Sequence, residues 1–236
     1  TGLIVMNNLT KVDVNVLLRL NSRNMLISYV AAQLNNFFPS DSKIADMQAI
    51  DQVLDQAILR LLPILRDVNA FDGSRFDHLN SLQYASFLYL LSNENWTQDG
   101  PIELSERLFF LNKALNNIDL FYSVSMPSVF FISHGIGTVL GNVVYGERLV
   151  IFQNVTVGRI GASRPEIGHS VILYPGSTIT GSTRIGNHCV IGAGVLLHNQ
   201  IIPDNSIVKF VDGQYVVAPK STKFNHIDLY LTPSRG

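Results

Sequence analysis

Imidazole is the side chain whose ordinary pKa, about 6.5, lies nearest neutral pH, so the six histidines of this chain are the first place to look for acid–base chemistry. His134 sits in Ile132-Ser133-His134-Gly135-Ile136-Gly137-Thr138-Val139-Leu140-Gly141. An imidazole held there as a general base would be worth about 10² to 10⁴ in rate. The bland alternative is a histidine satisfied by hydrogen bonds at a domain junction. The single thiol, Cys189, cannot close an internal disulfide and has no second thiol with which to build a zinc site, so redox chemistry is not expected.

These residues must be positioned by a scaffold, and the sequence announces one. A six-residue period runs from near Val139 to about Pro203. Counting Val139, Tyr145, Ile151, Val157, Ile167, Leu173, Ile179, Ile185, Ile191, Leu197 and Pro203 as position one, nine of eleven are Val, Ile or Leu. Glycine holds position two at 146, 158, 168, 186 and 192, where composition alone would place about one. Position five takes Val143, Leu149, Val155, Val171, Ser177, Thr183, Cys189, Val195, Ile201 and Ile207. One aliphatic residue, a turn-permissive glycine and a small inward residue describe a short strand and a corner. Three such units close a triangular coil, and stacked coils share a core that no single coil could bury. A period of six fits neither an amphipathic helix nor a heptad. Between Val157 and Ile167 lie ten residues instead of six, so Arg159 to Glu166 must bulge out as a loop, a common place for binding residues. His169, His188 and His198 fall at different phases of the repeat, so three imidazoles do not converge and no metal is expected.

Upstream, the pattern is helical. Met47, Leu54, Ile58, Leu61 and Leu65 follow helical spacings after Ile44, and Leu104, Leu108, Leu111, Leu115 and Ile118 line one face after Asp99-Gly100-Pro101. Residues 10 to 35 and 76 to 92 also read as helices. The expected organisation is α+β: a helical domain over residues 1–126, serving oligomerisation and acceptor-side contacts, then a parallel β-helix over residues 127–236.

Composition narrows the class. The chain has 236 residues, 47% hydrophobic and 15% charged, which suits a folded globule. A formal charge of −1 argues against a nucleic-acid binder. Residues 1 to 126 carry 9 basic against 13 acidic side chains, and residues 127 to 236 carry 8 against 5, so the C-terminal part would suit a phosphate-bearing ligand. No apolar run reaches the roughly 18 to 20 residues that span a bilayer and the N-terminus lacks signal-peptide zones, so no membrane association and a cytoplasmic location are expected.

The His134 segment, followed by Gln153-Asn154-Val155-Thr156-Val157-Gly158, resembles the serine acetyltransferases of the hexapeptide-repeat acyltransferase superfamily. The resemblance covers roughly the C-terminal 110 residues, and the helical half agrees in layout. It implies that the β-helix is left-handed, that acetyl-CoA is the co-substrate, and that the chain forms a homotrimer or a dimer of trimers with active sites between neighbouring β-helices. It also implies that His134 deprotonates the acceptor hydroxyl and that Asp119, fifteen residues earlier, orients that histidine. On the acceptor side it points to Ser133, Arg164 and Asp77, and along the CoA path to Gly158, Gly176, Ala193 and Gly194, with Arg184 and Lys209 toward the phosphates.

Two departures bear on the acceptor. Ser133 stands where the family has an aspartate, and Ser163-Arg164-Pro165 stands where it has Arg-His-Pro, in a loop about four residues shorter. The first expectation is therefore a serine O-acetyltransferase. Alternatives are an acetyltransferase for a sugar or nucleotide-sugar, sharing base, cofactor and fold, and a non-catalytic β-helix scaffold.

Overall fold

The computed structural model describes residues 14–39, 43–73, 75–221 and 224–233. Four α-helices come first: α1 (Arg23–Phe37), α2 (Lys43–Asp67), α3 (Ser81–Thr97) and α4 (Ile102–Asn116). Local chemistry sets their ends. Ser22 accepts a hydrogen bond from the Met25 N–H to open α1, and Asn80 accepts from the N–H groups of Leu82 and Gln83 to open α3. Asn117, in the left-handed conformation with φ 57°, stops α4.

The apolar stripe of α2 is buried at Leu54, Ile58, Leu61 and Leu65 as its spacing predicts. Of the stripe expected after Pro101, Leu104, Leu108 and Leu111 are buried, whereas Leu115 is 40% exposed and Ile118 has left the helix. Within the segment 10–35, Val14–Leu17 is a short 3-10 turn preceding α1, and residues 10–13 lie outside the described residues. Helix α3 is buried from Gln83 to Asn95 and therefore shows no polar face in the sequence. Its polar groups are answered inside the bundle: Asn93 donates to the Tyr122 carbonyl at 2.6 Å, and Glu94 meets Arg60 at 2.7 Å.

The second part is a three-faced parallel β-solenoid. One face carries the strands Ile118–Leu120, Thr138–Leu140, Thr156–Gly158, Thr178–Thr180 and Leu196–His198. The second carries Val144–Tyr145, Glu166–Ile167, Arg184–Ile185 and Ile201–Ile202. The third carries Phe130–Ile132, Leu149–Ile151, Ile172–Leu173, Val190–Ile191 and Ser206–Val211, to which Gln214–Pro219 adds an antiparallel edge. The first strand belongs to α4's immediate sequel, so the solenoid begins at Ile118, inside the segment 1–126.

Inward side chains stack in columns. Leu120, Leu140, Val157, Ile179 and Leu197 form the first; Tyr145, Ile167, Ile185 and Ile202 the second; Ile132, Ile151, Leu173, Ile191 and Val208 the third. Each is at most 8% exposed, and full burial of an aliphatic side chain is worth about 1.5–3 kcal/mol.

The columns correct the six-residue phase at both ends. Leu140, not Val139, points inward, and Ile202, not Pro203, ends the second column; Val139 is 41% exposed and Ile201 is 78% exposed. Between Leu140 and Tyr145, and again between Leu197 and Ile202, the corner spends five residues instead of six. Ser206 then takes the inward place expected of Ile207.

The C-terminal tail returns to tie the two parts together. Leu231 is fully buried and bridges to Val68 at the end of α2, while Tyr230 donates or accepts across 3.0 Å with Tyr174 on the third face. Among the described residues no helix is long and apolar enough to cross a membrane.

Candidate active site

The corner from the third face to the first takes six residues in three consecutive coils: Ile151 to Val157, Leu173 to Ile179, and Ile191 to Leu197. In the first coil it takes eight, from Ile132 to Leu140. His134 rides on that two-residue expansion. Its backbone has φ 51°, a left-handed conformation that this solenoid also uses at Asn154, Ser170 and His188, and its carbonyl accepts the Ile136 N–H at 2.6 Å. Gly135 lets the bulge press against the solenoid's first strand, since a Cβ there would lie 2.6 Å from Ile118 Cδ1.

The helical part braces this corner directly. The Gly137 N–H donates to the carbonyl of Asn117, the residue that ends α4, at 2.9 Å. Between them opens a cleft of about 520 Å³, lined by α3 at Ser81 and Leu82, by α4 at Lys113 and Asn116, and by His134 and Ile136 from the expanded corner. The His134 ring is exposed to this cleft. An accessible imidazole in a cleft bounded by two rigid elements can take a proton from a bound hydroxyl.

Asp119 lies on the strand Ile118–Leu120, and its Oδ2 accepts from Lys113 Nζ at 2.5 Å. Among the described residues no hydrogen bond joins its carboxylate to the His134 ring, and its Oδ1 has no hydrogen-bond partner. The expected dyad partner is thus engaged by a lysine that the sequence reading did not single out. A basic residue in the last turn of a helix looks like an ordinary dipole partner, and its place in the cleft arises from where α4 packs.

Of the acceptor-side candidates, Ser133 is 7% exposed beside His134, and its N–H donates to the Ile151 carbonyl at 2.7 Å. Asp77 lies ahead of α3, where it pairs with Arg19 at 2.6 Å and caps the Leu79 N–H; it does not line the His134 cleft. Arg164 is exposed at the foot of a tight hairpin in which Ile160 and Ser163 exchange backbone hydrogen bonds of 2.9 and 3.0 Å. That hairpin leaves the corner between the first and second faces, so this chain does not bring Arg164 to its own His134.

Along the His134 corner, Gly176 and Gly194 stack with Cα positions close enough that a Cβ on Gly176 would lie 3.9 Å from Gly194 Cα. Ala193 adjoins them, and Lys209 follows at the far end, 3.7 Å from where a Gly192 Cβ would stand. A Cβ at Gly194 would meet nothing within 4 Å, so the outer side of this edge is open. Gly158 ends its strand at the opposite edge of the first face, pairing with Thr180. Arg184 is on the second face, where its guanidinium lies 3.4 Å from Glu166. The structure therefore gathers Gly176, Ala193, Gly194 and Lys209 on one edge with His134, and leaves Gly158 and Arg184 on other edges of the same solenoid. Cys189 is fully buried and burial raises its thiol pKa, as befits a core residue. His169 and His198 spend ring nitrogens on the Glu147 N–H and on Thr180 and Asn199.

Comparison with known proteins agrees with this architecture. The bacterial transferase hexapeptide (six repeats) family model matches residues 164–199. A serine acetyltransferase of Bacillus subtilis (strain 168) is 31% identical over 124 residues, 47% of this chain and 56% of that protein. The chain spans about three-fifths of the length of curated relatives it matches. Among solved structures, serine acetyltransferase from Brucella abortus strain S19 in complex with coenzyme A superposes with a TM-score of 0.65 at 21% identity, covering 86% of each chain. The serine complex of Neisseria gonorrhoeae serine acetyltransferase gives 0.63 at 20% identity, covering 81% of this chain and 83% of that one. By sequence in its C-terminal half and by fold over most of its length, the chain is similar to the serine acetyltransferases, and residues 164–199 match the hexapeptide-repeat model.

Proposed function

We propose that the protein is an acetyl-CoA-dependent serine O-acetyltransferase. The observation that carries this reading is His134, a histidine held in a left-handed backbone on an enlarged corner and exposed to a cleft between the two parts of the chain. In the reaction, a His134 ring nitrogen takes the proton of the serine hydroxyl as that oxygen attacks the thioester carbonyl carbon. The tetrahedral intermediate collapses with cleavage of the C–S bond, and the CoA sulfur leaves as thiolate and collects a proton. The products are O-acetylserine and CoA, which suit cysteine biosynthesis, and no covalent enzyme intermediate is needed.

Asp119 is the carboxylate that steadies the imidazolium, through the oxygen that Lys113 does not occupy. The edge of Gly176, Ala193 and Gly194 suits the extended arm of CoA, because side chains are smallest there and its outer side is open. Lys209 supplies a cation at the end of that edge for a phosphate. Arg164 and Gly158 sit on a different edge from His134, which favours a site completed by a neighbouring copy and hence a homotrimer, alone or paired into a hexamer. We place the enzyme in the cytoplasm, where acetyl-CoA is made available. The test is thiol release from acetyl-CoA with L-serine, by the full chain and by His134→Asn; absence of release with L-serine by the unaltered chain refutes the assignment.

A further inference from the structure

From the course of the last two strands we infer that Phe210 and Tyr215 form a platform for the adenine of CoA, so that the chain selects its donor by the nucleotide end as well as by the thioester. The inference rests on the reading of the Gly176, Ala193 and Gly194 edge as the CoA path and adds what stands at its far end. The strand Ser206–Val211 stacks on Val190–Ile191 only as far as the pair of Ile191 with Val208. There the preceding coil turns its corner at Gly192, whereas the upper strand runs straight on through Lys209, Phe210 and Val211 and returns through Gln214–Pro219. The tip of this hairpin therefore overhangs the edge that carries Ala193 and Gly194. His134 and Phe210 each lie two residues beyond the same inward column, at Ile132 and Val208. Four strand spacings separate them, about 19 Å, which suits an extended pantetheine arm with the thioester at one end and the nucleotide at the other.

The hairpin holds its shape and is aromatic where it meets the edge. Asp212 and Gly213 turn it with φ of 49° and 81°, the two-residue turn whose twist matches paired strands. Phe210 and Tyr215 are directly paired across it, so both side chains project to one side, the side on which Val208 points inward. Past the corner that side faces the outside of the first face. The N–H groups of Thr156 and Thr178 donate to the next coil, and Leu196, on the last strand of this face, donates instead to the Tyr215 hydroxyl at 3.2 Å. The two rings lie with centroids 5.0 Å apart and yet are 54% and 46% exposed, so the pair presents one broad apolar surface to a flat ligand. Lys209 and Asp212 are the charged residues of the segment 209–217 and cancel, which favours a neutral ring over a phosphate on the aromatic pair. Nucleobases stack on such side chains through their π-faces.

The experiment compares acetyl-CoA with S-acetyl-4′-phosphopantetheine, which keeps the thioester and the arm and lacks the adenosine end, in the thiol-release assay with L-serine. The expected KM is at least about fivefold higher for the truncated donor. Phe210→Ala and Tyr215→Ala should each raise KM for acetyl-CoA by about five- to a hundredfold, the usual worth of a base stacked on an aromatic ring. KM for the truncated donor should stay within about twofold of the parent in both variants, which a damaged fold would not allow. Tyr215→Phe keeps the ring and should stay within about threefold of the parent for acetyl-CoA. Equal KM for the two donors, or a rise of the same size for both in the alanine variants, overturns the inference. So does an unaltered KM in variants whose sedimentation shows subunits separating, since the hairpin then joins copies of the chain. Calorimetric titration of adenosine 3′,5′-bisphosphate into the full chain keeps the question separate from turnover. If L-serine gives no thiol release, the serine acetyltransferase reading fails, and bisphosphate binding that weakens in Phe210→Ala still supports the platform while unchanged or absent binding removes it.

Discussion

Replacing His134 by asparagine should slow catalysis severely without weakening the fold, and the backbone explains why the fold survives. At φ 51° a histidine is held in a region that costs most L-residues roughly 1–2 kcal/mol and that asparagine enters more readily. The ring is exposed and makes no hydrogen bond among the described residues, so its removal forfeits little packing. The expected stability change for His134→Asn is therefore between zero and about 1 kcal/mol in favour of the variant. For a chain of 236 residues that corresponds to a rise in Tm of at most about 2–4 °C. The rate of thiol release should fall by about 10² to 10⁴, the usual worth of a general base. Alanine is the poorer probe, because it pays the left-handed penalty without asparagine's local hydrogen bonding. Scanning calorimetry and the thiol assay on the same preparation decide the matter. A fall in Tm of more than about 4 °C, or a rate within tenfold of the parent, refutes the argument that this residue was placed for chemistry at the expense of backbone comfort.

Other expectations follow from the interior. Burial raises the Cys189 thiol pKa, so the native state keeps a proton that the unfolded chain releases above about pH 8.5; this stabilisation is whole below that value and fades as pH rises through the folded one. Urea unfolding at pH 7.5 and 9.5 should show an alkaline loss of up to about 1.4 kcal/mol that Cys189→Val lacks, whereas the buried Tyr84 and Tyr145 and the half-buried Tyr174, also raised, add to this trend only above about pH 10. Arg107→Ala leaves Asp46 buried without the guanidinium that holds both its oxygens at 2.9 Å, and denaturant titration should register a loss of about 3–5 kcal/mol. Leu231→Ala empties a fully buried site where the tail meets α2; the same titration should show a loss of about 2–4 kcal/mol.

How much of this was legible in the sequence depended on contrast between neighbouring residues. The solenoid was legible because its columns are built from short local spacings, so Ile151, Val157, Leu173, Ile179, Ile185, Ile191 and Leu197 stand out in order. The five-residue corners were not, because Val139 sits beside Leu140 and Ile201 beside Ile202, and two adjacent aliphatic residues give no sign of which one points inward. The strand at Ile118 was hidden for a similar reason, since it continues the apolar stripe of α4 and only Asn117 interrupts it.

The sequence by itself determined the repeat and the helical half, which depend on residue type and short spacing, and it singled out His134 through the family resemblance of the segment around it. Tertiary structure decided that the corner bearing His134 is two residues longer than those stacked on it, that α4 closes one side of the cleft, and that Lys113 rather than His134 holds Asp119. The physical reason is that periodicity reports which way a side chain points along its own segment, whereas the pairing of Lys113 with Asp119 and the cleft beside His134 depend on how a helix packs against the first coil of a solenoid, a distance that no local spacing encodes.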